Sequence, residues 1–257
     1  MMTGVIRATT DVYPDVTASE LTLRGGRVPA LLYRPSTSGP RPGLVIGAEA
    51  FGINDFIRRV AATLAHAGYV TLVPDYYRGS GPAHPERYDD FAEVVEHIGA
   101  LDFVLATGDT VAGVEHLRRL EGVDPERVGV WGYCTGGTLA LLAACVRPDV
   151  AASVLFFPSQ PVFHHLDAEH PVHPIDLLWS LRGPSLFLYG DEDPVMGPEL
   201  LADLRGRLAR WDVDATVITY PGAGHAFCAP VPPMRHDQAD RAAWADAVAF
   251  AARHLRP

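Results

Sequence analysis

Lysine is absent from the 257 residues, and all 21 basic side chains are arginine. Catalysis through a lysine amine or Schiff base is therefore excluded. Cysteine is scarce as well. Cys134, Cys145 and Cys228 are odd in number and far apart, which fits neither a disulfide framework nor a zinc-ligand spacing and points to a reducing cytoplasm. Positive charge gathers nowhere, and the formal net charge is −10, so nucleic acid is not an expected partner. No apolar run approaches the roughly 20 residues of a membrane span. The opening segment, MMTGVIRATTDVYPDV, lacks the apolar core of a signal peptide. What remains is an ordinary globular composition, 48% apolar and 20% charged, long enough to bury a large core.

Strand-like and helix-like segments alternate along this chain. After a lead-in over residues 1–18, residues 20–23 and 28–33 flank Gly25-Gly26 and read as a β-hairpin. Residues 43–48 and 69–73 are continuous apolar runs suited to strands buried on both faces. Between them lies a helix over 56–67, capped by Asn54 or Asp55 and stopped by Gly68. Helical patterning follows over about 86–98 and 109–120. Strands are expected at 127–131, 152–157, 185–189 and 215–220, and further helices at 135–146, 198–210 and 237–255. In the last of these, Trp244, Ala247, Val248, Ala251 and Leu255 share one face. Residues 158–174 read as a long loop, and no internal repeat or linker divides the chain. The alternation predicts one α/β domain over 1–257, a doubly wound, mostly parallel sheet with the N-terminal hairpin as an antiparallel edge.

One segment organises the rest. In Val128-Gly129-Val130-Trp131-Gly132-Tyr133-Cys134-Thr135-Gly136-Gly137 a strand pattern enters and a helix pattern leaves. Between them stands Gly-x-Cys-x-Gly, the nucleophile-elbow pattern with cysteine in place of serine. The glycines suit a sharp turn in which backbone approaches backbone. A sulfur at that apex would sit at a helix N-terminus, where the dipole favours thiolate. The pentapeptide alone fits a packed core cysteine equally well.

Residues further along decide between the two. Ligands of open α/β sheets bind beyond the carboxyl ends of the strands, and three chemically apt residues fall there. Cys134 follows one strand, Asp193 lies in Tyr189-Gly190-Asp191-Glu192-Asp193-Pro194, and His225 lies in Gly222-Ala223-Gly224-His225-Ala226-Phe227. The order nucleophile, acid, histidine is that of α/β-hydrolases. Cys134 would attack an acyl carbon, His225 would move the proton, and Asp193 would fix its tautomer. Asp191 and Glu192 are rivals for the last role.

Together with Glu49-Ala50-Phe51-Gly52-Ile53-Asn54 and Pro74-Asp75-Tyr76-Tyr77-Arg78, these motifs resemble the dienelactone hydrolase family from about residue 20 to the end. The resemblance implies an α/β-hydrolase fold and a Cys134–His225–Asp193 triad. It also implies an oxyanion hole from the backbone N–H groups of Ala50 and Thr135. Glu49 would be a buried carboxylate that handles the thiol proton, its charge opposing thiolate formation; pairing with Arg58 or Arg59 is the other reading of that residue. Arg78, Tyr133 and Phe51 would meet substrate. The family holds a substrate carboxylate with two arginines, and here the second position, four residues after His225, is Ala229. Arg235 or a loop histidine is left as the substitute.

His164, His165, His170 and His173 lack the companions that fix a metal geometry, so no metal is expected and the loop is read as lining a substrate entrance. Cys145 and Cys228 read as packing residues. No glycine pair has a dinucleotide-binding context, and no cofactor is expected. The sequence thus predicts a cytoplasmic, cofactor-free hydrolase of a small ester or lactone, monomeric or homodimeric. A broader esterase or thioesterase on neutral substrates and a non-catalytic ligand binder are the alternatives.

Overall fold

The apolar runs lie side by side in one sheet. The structure, a computed structural model, describes residues 12–37, 39–89 and 91–256. Its strands are β1 (Val16–Leu23), β2 (Val28–Pro35), β3 (Arg41–Gly47), β4 (Val70–Pro74), β5 (Val123–Tyr133), β6 (Ser153–Phe156), β7 (Ser185–Gly190) and β8 (Ala215–Tyr220). They are ordered β1-β2-β4-β3-β5-β6-β7-β8. β2 pairs antiparallel with both β1 and β4, and all remaining pairs are parallel. The hairpin is thus the expected antiparallel edge of a mostly parallel sheet. Of the lead-in, residues 1–11 lie outside the described residues, and from Val16 the chain is already strand.

Helices cover both faces: α1 (Asp55–His66), α2 (Phe91–Gly99), α3 (Phe103–Arg119), α4 (Thr135–Val146), α5 (Pro198–Arg210) and α6 (Asp237–Leu255). Asn54 caps α1, its side chain accepting the Ile57 N–H at 3.1 Å. The helix expected at 109–120 begins at Phe103 because Asp102 caps it through Leu105 N–H, at 2.8 Å. Of the pattern expected from residue 86, residues 88–89 are turn, and the helix runs Phe91–Gly99. Residues 158–174 form the expected loop, which runs into an unexpected 3₁₀ turn at Pro174–Ser180. In α6 the buried stripe is Ala239, Ala243, Ala247, Ala251 and Leu255. Trp244 and Val248 flank it half-buried, with Trp244 edge-on to Trp131 at 5.5 Å. Among the described residues no helix is long and apolar enough to cross a membrane.

β3, β5, β6, β7 and β8 are parallel neighbours, so their carboxyl ends share one rim. At that rim β3, β5 and α4 meet through backbone alone. A methyl group on Gly136 would overlap the carbonyls of Gly47 and Ala48, and one on Gly132 would overlap Gly136. Because the obstruction is backbone on three elements, no side-chain rotation relieves it. Gly136→Ala is expected to destabilise the protein by at least the roughly 3 kcal/mol at the upper end of ordinary overpacking, read as a loss in urea-denaturation free energy.

Candidate active site

Cys134 joins β5 to α4 at φ 51°, ψ −119°, a sparsely populated conformation for a residue with a Cβ. Backbone bonds hold it there. Its N–H donates to Phe156 at 3.0 Å, and its carbonyl accepts from Thr138 at 3.1 Å and Ser159 at 3.3 Å. The geometry lifts the sulfur above the sheet, 3.2 Å from Nε2 of His225. Nδ1 of the same ring lies 2.8 Å from Oδ2 of Asp193. An ionised carboxylate only accepts, so Nδ1 carries the proton and Nε2 faces the sulfur.

The loops after β7 and β8 bring acid and imidazole together. Gly190 lies so close to the carbonyl of Ala223 that a Cβ there would collide with it. Gly222 N–H donates to Asp191 Oδ1 at 2.7 Å, and Glu192 N–H to Ala223 O at 3.0 Å. These bonds occupy Asp191 and leave Asp193, its side chain fully buried, to face His225. Oδ1 of Asp193 is fixed by Val195 N–H at 2.8 Å. Of the three acids in this loop, the structure brings only Asp193 to the imidazole.

Electrostatics favour charge separation between sulfur and ring. Burial pushes the Cys134 thiol up, but the adjacent His225, its hydrogen bond and one from Ser159 outweigh that, leaving the thiol below its ordinary value. Burial pulls His225 down, while the Cys134 sulfur and Asp193 carry it up to about 10. The two shifts agree in direction: each group makes the other's charged form easier to hold.

Glu49 follows β3 and is 3% exposed. Its Oε1 accepts from Asn54 Nδ2 at 2.8 Å and, closely, from the Tyr88 hydroxyl. Among the described residues its side-chain partners are Asn54 and Tyr88, not Arg58 or Arg59. Burial raises its pKa against those two donors, which weakens its opposition to a neighbouring thiolate. Thr135 opens α4, so its N–H is among those a helix leaves unpaired. Ala50, on the loop after β3, packs in the apolar cluster that reaches Cys134.

The three residues expected at the substrate fall differently. Phe51 joins Ala50, Tyr88, Val94 and Ala229 in an apolar cluster against Cys134. Tyr133 is a core residue instead. It is 1% exposed and stacks on Phe156 at 4.5 Å, beneath the elbow. Arg78 is engaged elsewhere: its Nε and Nη2 donate to Asp109 Oδ2 and Oδ1, each at 2.7 Å. Asp109, fully buried on α3, also accepts from Arg24 at 3.0 Å. Arg235 is bound to Asp237 and Asp240.

A cleft of about 450 Å³ opens beside Ser159, walled by Ile98, Phe103, Phe163, Val195 and Leu200. His164, His165 and His170 border it as well. His165 and His170 both pair with Asp167 at 2.9 Å, and the ligand atoms of these three lie within 4.8 Å of one another. His170 packs edge-on against Phe163. Tyr76, Tyr77, Tyr88 and Ser159 are neighbours of the site to which the sequence assigned no role. Tyr76, Tyr77 and Ser159 each lie within three residues of a strand end, a position that could have marked them.

An eight-stranded, mostly parallel sheet with a cysteine elbow, an acid and a histidine along its carboxyl rim defines an α/β-hydrolase. The family model that matches residues 28–255 is described as the dienelactone hydrolase family, and the chain belongs to that family. A Bradyrhizobium relative named "Probable 2-oxo-3-(5-oxofuran-2-ylidene)propanoate lactonase" is 32% identical over 88% of this chain and 89% of its own. One from Escherichia coli K12, named "Putative carboxymethylenebutenolidase", is 30% identical over 86% of this chain and 80% of its own. The crystal structure of a Klebsiella pneumoniae protein titled "Putative Dienelactone Hydrolase" superposes with a TM-score of 0.81 at 26% identity, covering 93% of this chain and 99% of that one. The chain is thus a dienelactone hydrolase-like enzyme, of the class that acts on esters or lactones.

The thiol and imidazole shifts fix a pH dependence. Because the Cys134 pKa is lowered, thiolate persists below the pH at which a free cysteine loses it. Iodoacetamide should label Cys134 with a pH midpoint below the ordinary thiol range near 8.5. His225→Asn should move that midpoint upward and slow labelling at pH 7. Identical pH profiles for the two proteins would contradict the ion pair.

Proposed function

We propose that the protein hydrolyses a small ester or lactone through a Cys134–His225–Asp193 triad and a thioester intermediate. The observation that carries this is the continuous contact from sulfur to ring to carboxylate, 3.2 Å and then 2.8 Å, at the carboxyl rim where substrates of this fold bind. The sulfur attacks the acyl carbon, and the carbonyl oxygen becomes an oxyanion held by the N–H groups of Ala50 and Thr135. Collapse of that intermediate expels the alcohol oxygen, which takes the proton from His225. Water, giving a proton to His225, then attacks the thioester, and the thiolate leaves. Asp193 keeps the ring in one tautomer and stabilises it when charged. Glu49, raised by burial, is the second proton holder beside the thiol.

Neutral, apolar substrates fit this site better than anionic ones. Both oxygens of Asp109 occupy Arg78. The position resembling the family's second arginine is Ala229, within an apolar cluster that includes Phe51 and Cys134. The neighbouring cleft is walled largely by aromatic and aliphatic side chains and has no arginine in its lining, and of its three histidines His165 and His170 are paired with Asp167. The three free cysteines suit a reducing cytoplasm.

Cys134→Ala is expected to abolish hydrolysis of p-nitrophenyl acetate, lowering kcat by at least about 10³-fold; turnover surviving in that variant refutes the cysteine mechanism. A matched pair of esters, one bearing a free carboxylate and one not, should show higher kcat/KM for the neutral member. Arg78→Ala should leave that ratio unchanged and cost about 1–3 kcal/mol of stability, since Asp109 keeps only Arg24. A preference for the anion that disappears in Arg78→Ala would restore the arginine clamp.

A further inference from the structure

Tyr76 and Tyr77 follow β4, and their hydroxyls reach across to the loop after β3. The Tyr76 hydroxyl donates to the carbonyl of Glu49 at 2.7 Å, and the Tyr77 hydroxyl to the carbonyl of Ala50 at 2.8 Å. A peptide unit is planar, with its C=O and N–H pointing opposite ways. The carbonyl of Glu49 and the N–H of Ala50 belong to one such plane, so holding the oxygen aims the N–H. Gly52 N–H bonds that same oxygen at 2.8 Å, completing its two lone pairs. Both phenols are buried, 5% and 8% exposed, with ring centroids 4.4 Å apart.

The pair is itself anchored. Asp75 accepts Tyr77 N–H at 3.1 Å and Gly79 N–H at 2.8 Å, folding residues 75–79 into a tight turn. Arg78 occupies the left-handed region at φ 55°, a conformation costly for arginine. Its two bonds to the buried Asp109 hold it there. A rigid path therefore runs from α3 through the Asp109–Arg78 pair and the turn to the phenols, and from them to the Glu49–Ala50 peptide. Burial raises both phenols far beyond the physiological range, so they remain neutral donors at every working pH.

We propose that Tyr76, supported by Tyr77, is a positioning residue that aims the Ala50 N–H at the oxyanion. The proposal rests on the hydrolase reading above, in which that N–H binds developing charge. Tyr76→Phe keeps the ring and removes only the hydroxyl. With p-nitrophenyl acetate its kcat should fall by roughly 10- to 100-fold, less than the 10²–10³ of deleting a donor outright, with KM within about twofold of the wild type. Alkylation of Cys134 by iodoacetamide forms no oxyanion, so its rate should not change. The Ala50 amide resonance in a ¹⁵N-labelled sample should shift or broaden in Tyr76→Phe, and less in Tyr77→Phe. Turnover and alkylation falling together would mean general collapse of the site and overturn the proposal, as would an unmoved Ala50 resonance. Ester turnover surviving in Cys134→Ala would sink the hydrolase reading instead, and the Ala50 resonance would still decide the peptide-plane claim.

Discussion

The backbone at Cys134 stands in a conformation costing on the order of 1–3 kcal/mol, and the arrangement of the site follows from holding it there. Strain of this kind survives only where the surroundings over-determine the chain. Here the surroundings are glycine backbones on β3, β5 and α4 packed without intervening side chains. That contact draws the helix N-terminus under the sulfur and sets the loop after β3 beside it. The two N–H groups proposed to bind the oxyanion come from these same packed elements. Strand-to-helix packing and the proposed oxyanion geometry are one constraint seen from two sides.

Charge around the sulfur balances on a similar economy of position. Buried ions are costly, and a lone thiolate this deep would take up a proton. His225 at 3.2 Å, backed by Asp193, reverses that preference. Glu49 pushes the other way, but burial raises its own pKa, and Asn54 and Tyr88 already bind its oxygen. Asn54 serves twice: Oδ1 caps α1 while Nδ2 holds Glu49. The proposed proton holder is thereby attached to a helix start, and its distance from the sulfur is fixed by secondary structure.

Much of this was legible because it rests on pattern. Continuous apolar runs gave the parallel strands, the Gly25-Gly26 turn gave the hairpin, and β8 and α6 fall at the expected boundaries. Cys134, Asp193 and His225 could be named because strand-end position and chain order both restrict them. Arg78 and Tyr133 fell elsewhere for a common reason: position in a motif does not say where a side chain points. Tyr133 alternates inward along β5, as the two-residue period of a strand allows. Arg78 turned to a carboxylate thirty-one residues away, and Asp109 inside an amphipathic helix gives no local sign of being its partner. The roles of Tyr76, Tyr77 and Tyr88 were unreadable in the same way, since a buried hydroxyl declares itself only when its acceptor is known.

The fate of Arg78 bears on specificity. An arginine shared between a buried carboxylate and a substrate would have to break two bonds of 2.7 Å to receive the latter, and would leave Asp109 short of a partner. A substrate carboxylate offers the same fork geometry as Asp109 but arrives with its own hydration to lose, so exchange gains nothing. Placing Ala229 beside Phe51 and Cys134 removes the second point of attachment and makes the wall apolar. In such a setting a free carboxylate on the substrate would be desolvated with only the cleft histidines to offset it, and His165 and His170 are already paired with Asp167. The proposed discrimination against anions therefore needs no repulsive residue. It follows from what Arg78 already holds and from the methyl group that stands at residue 229.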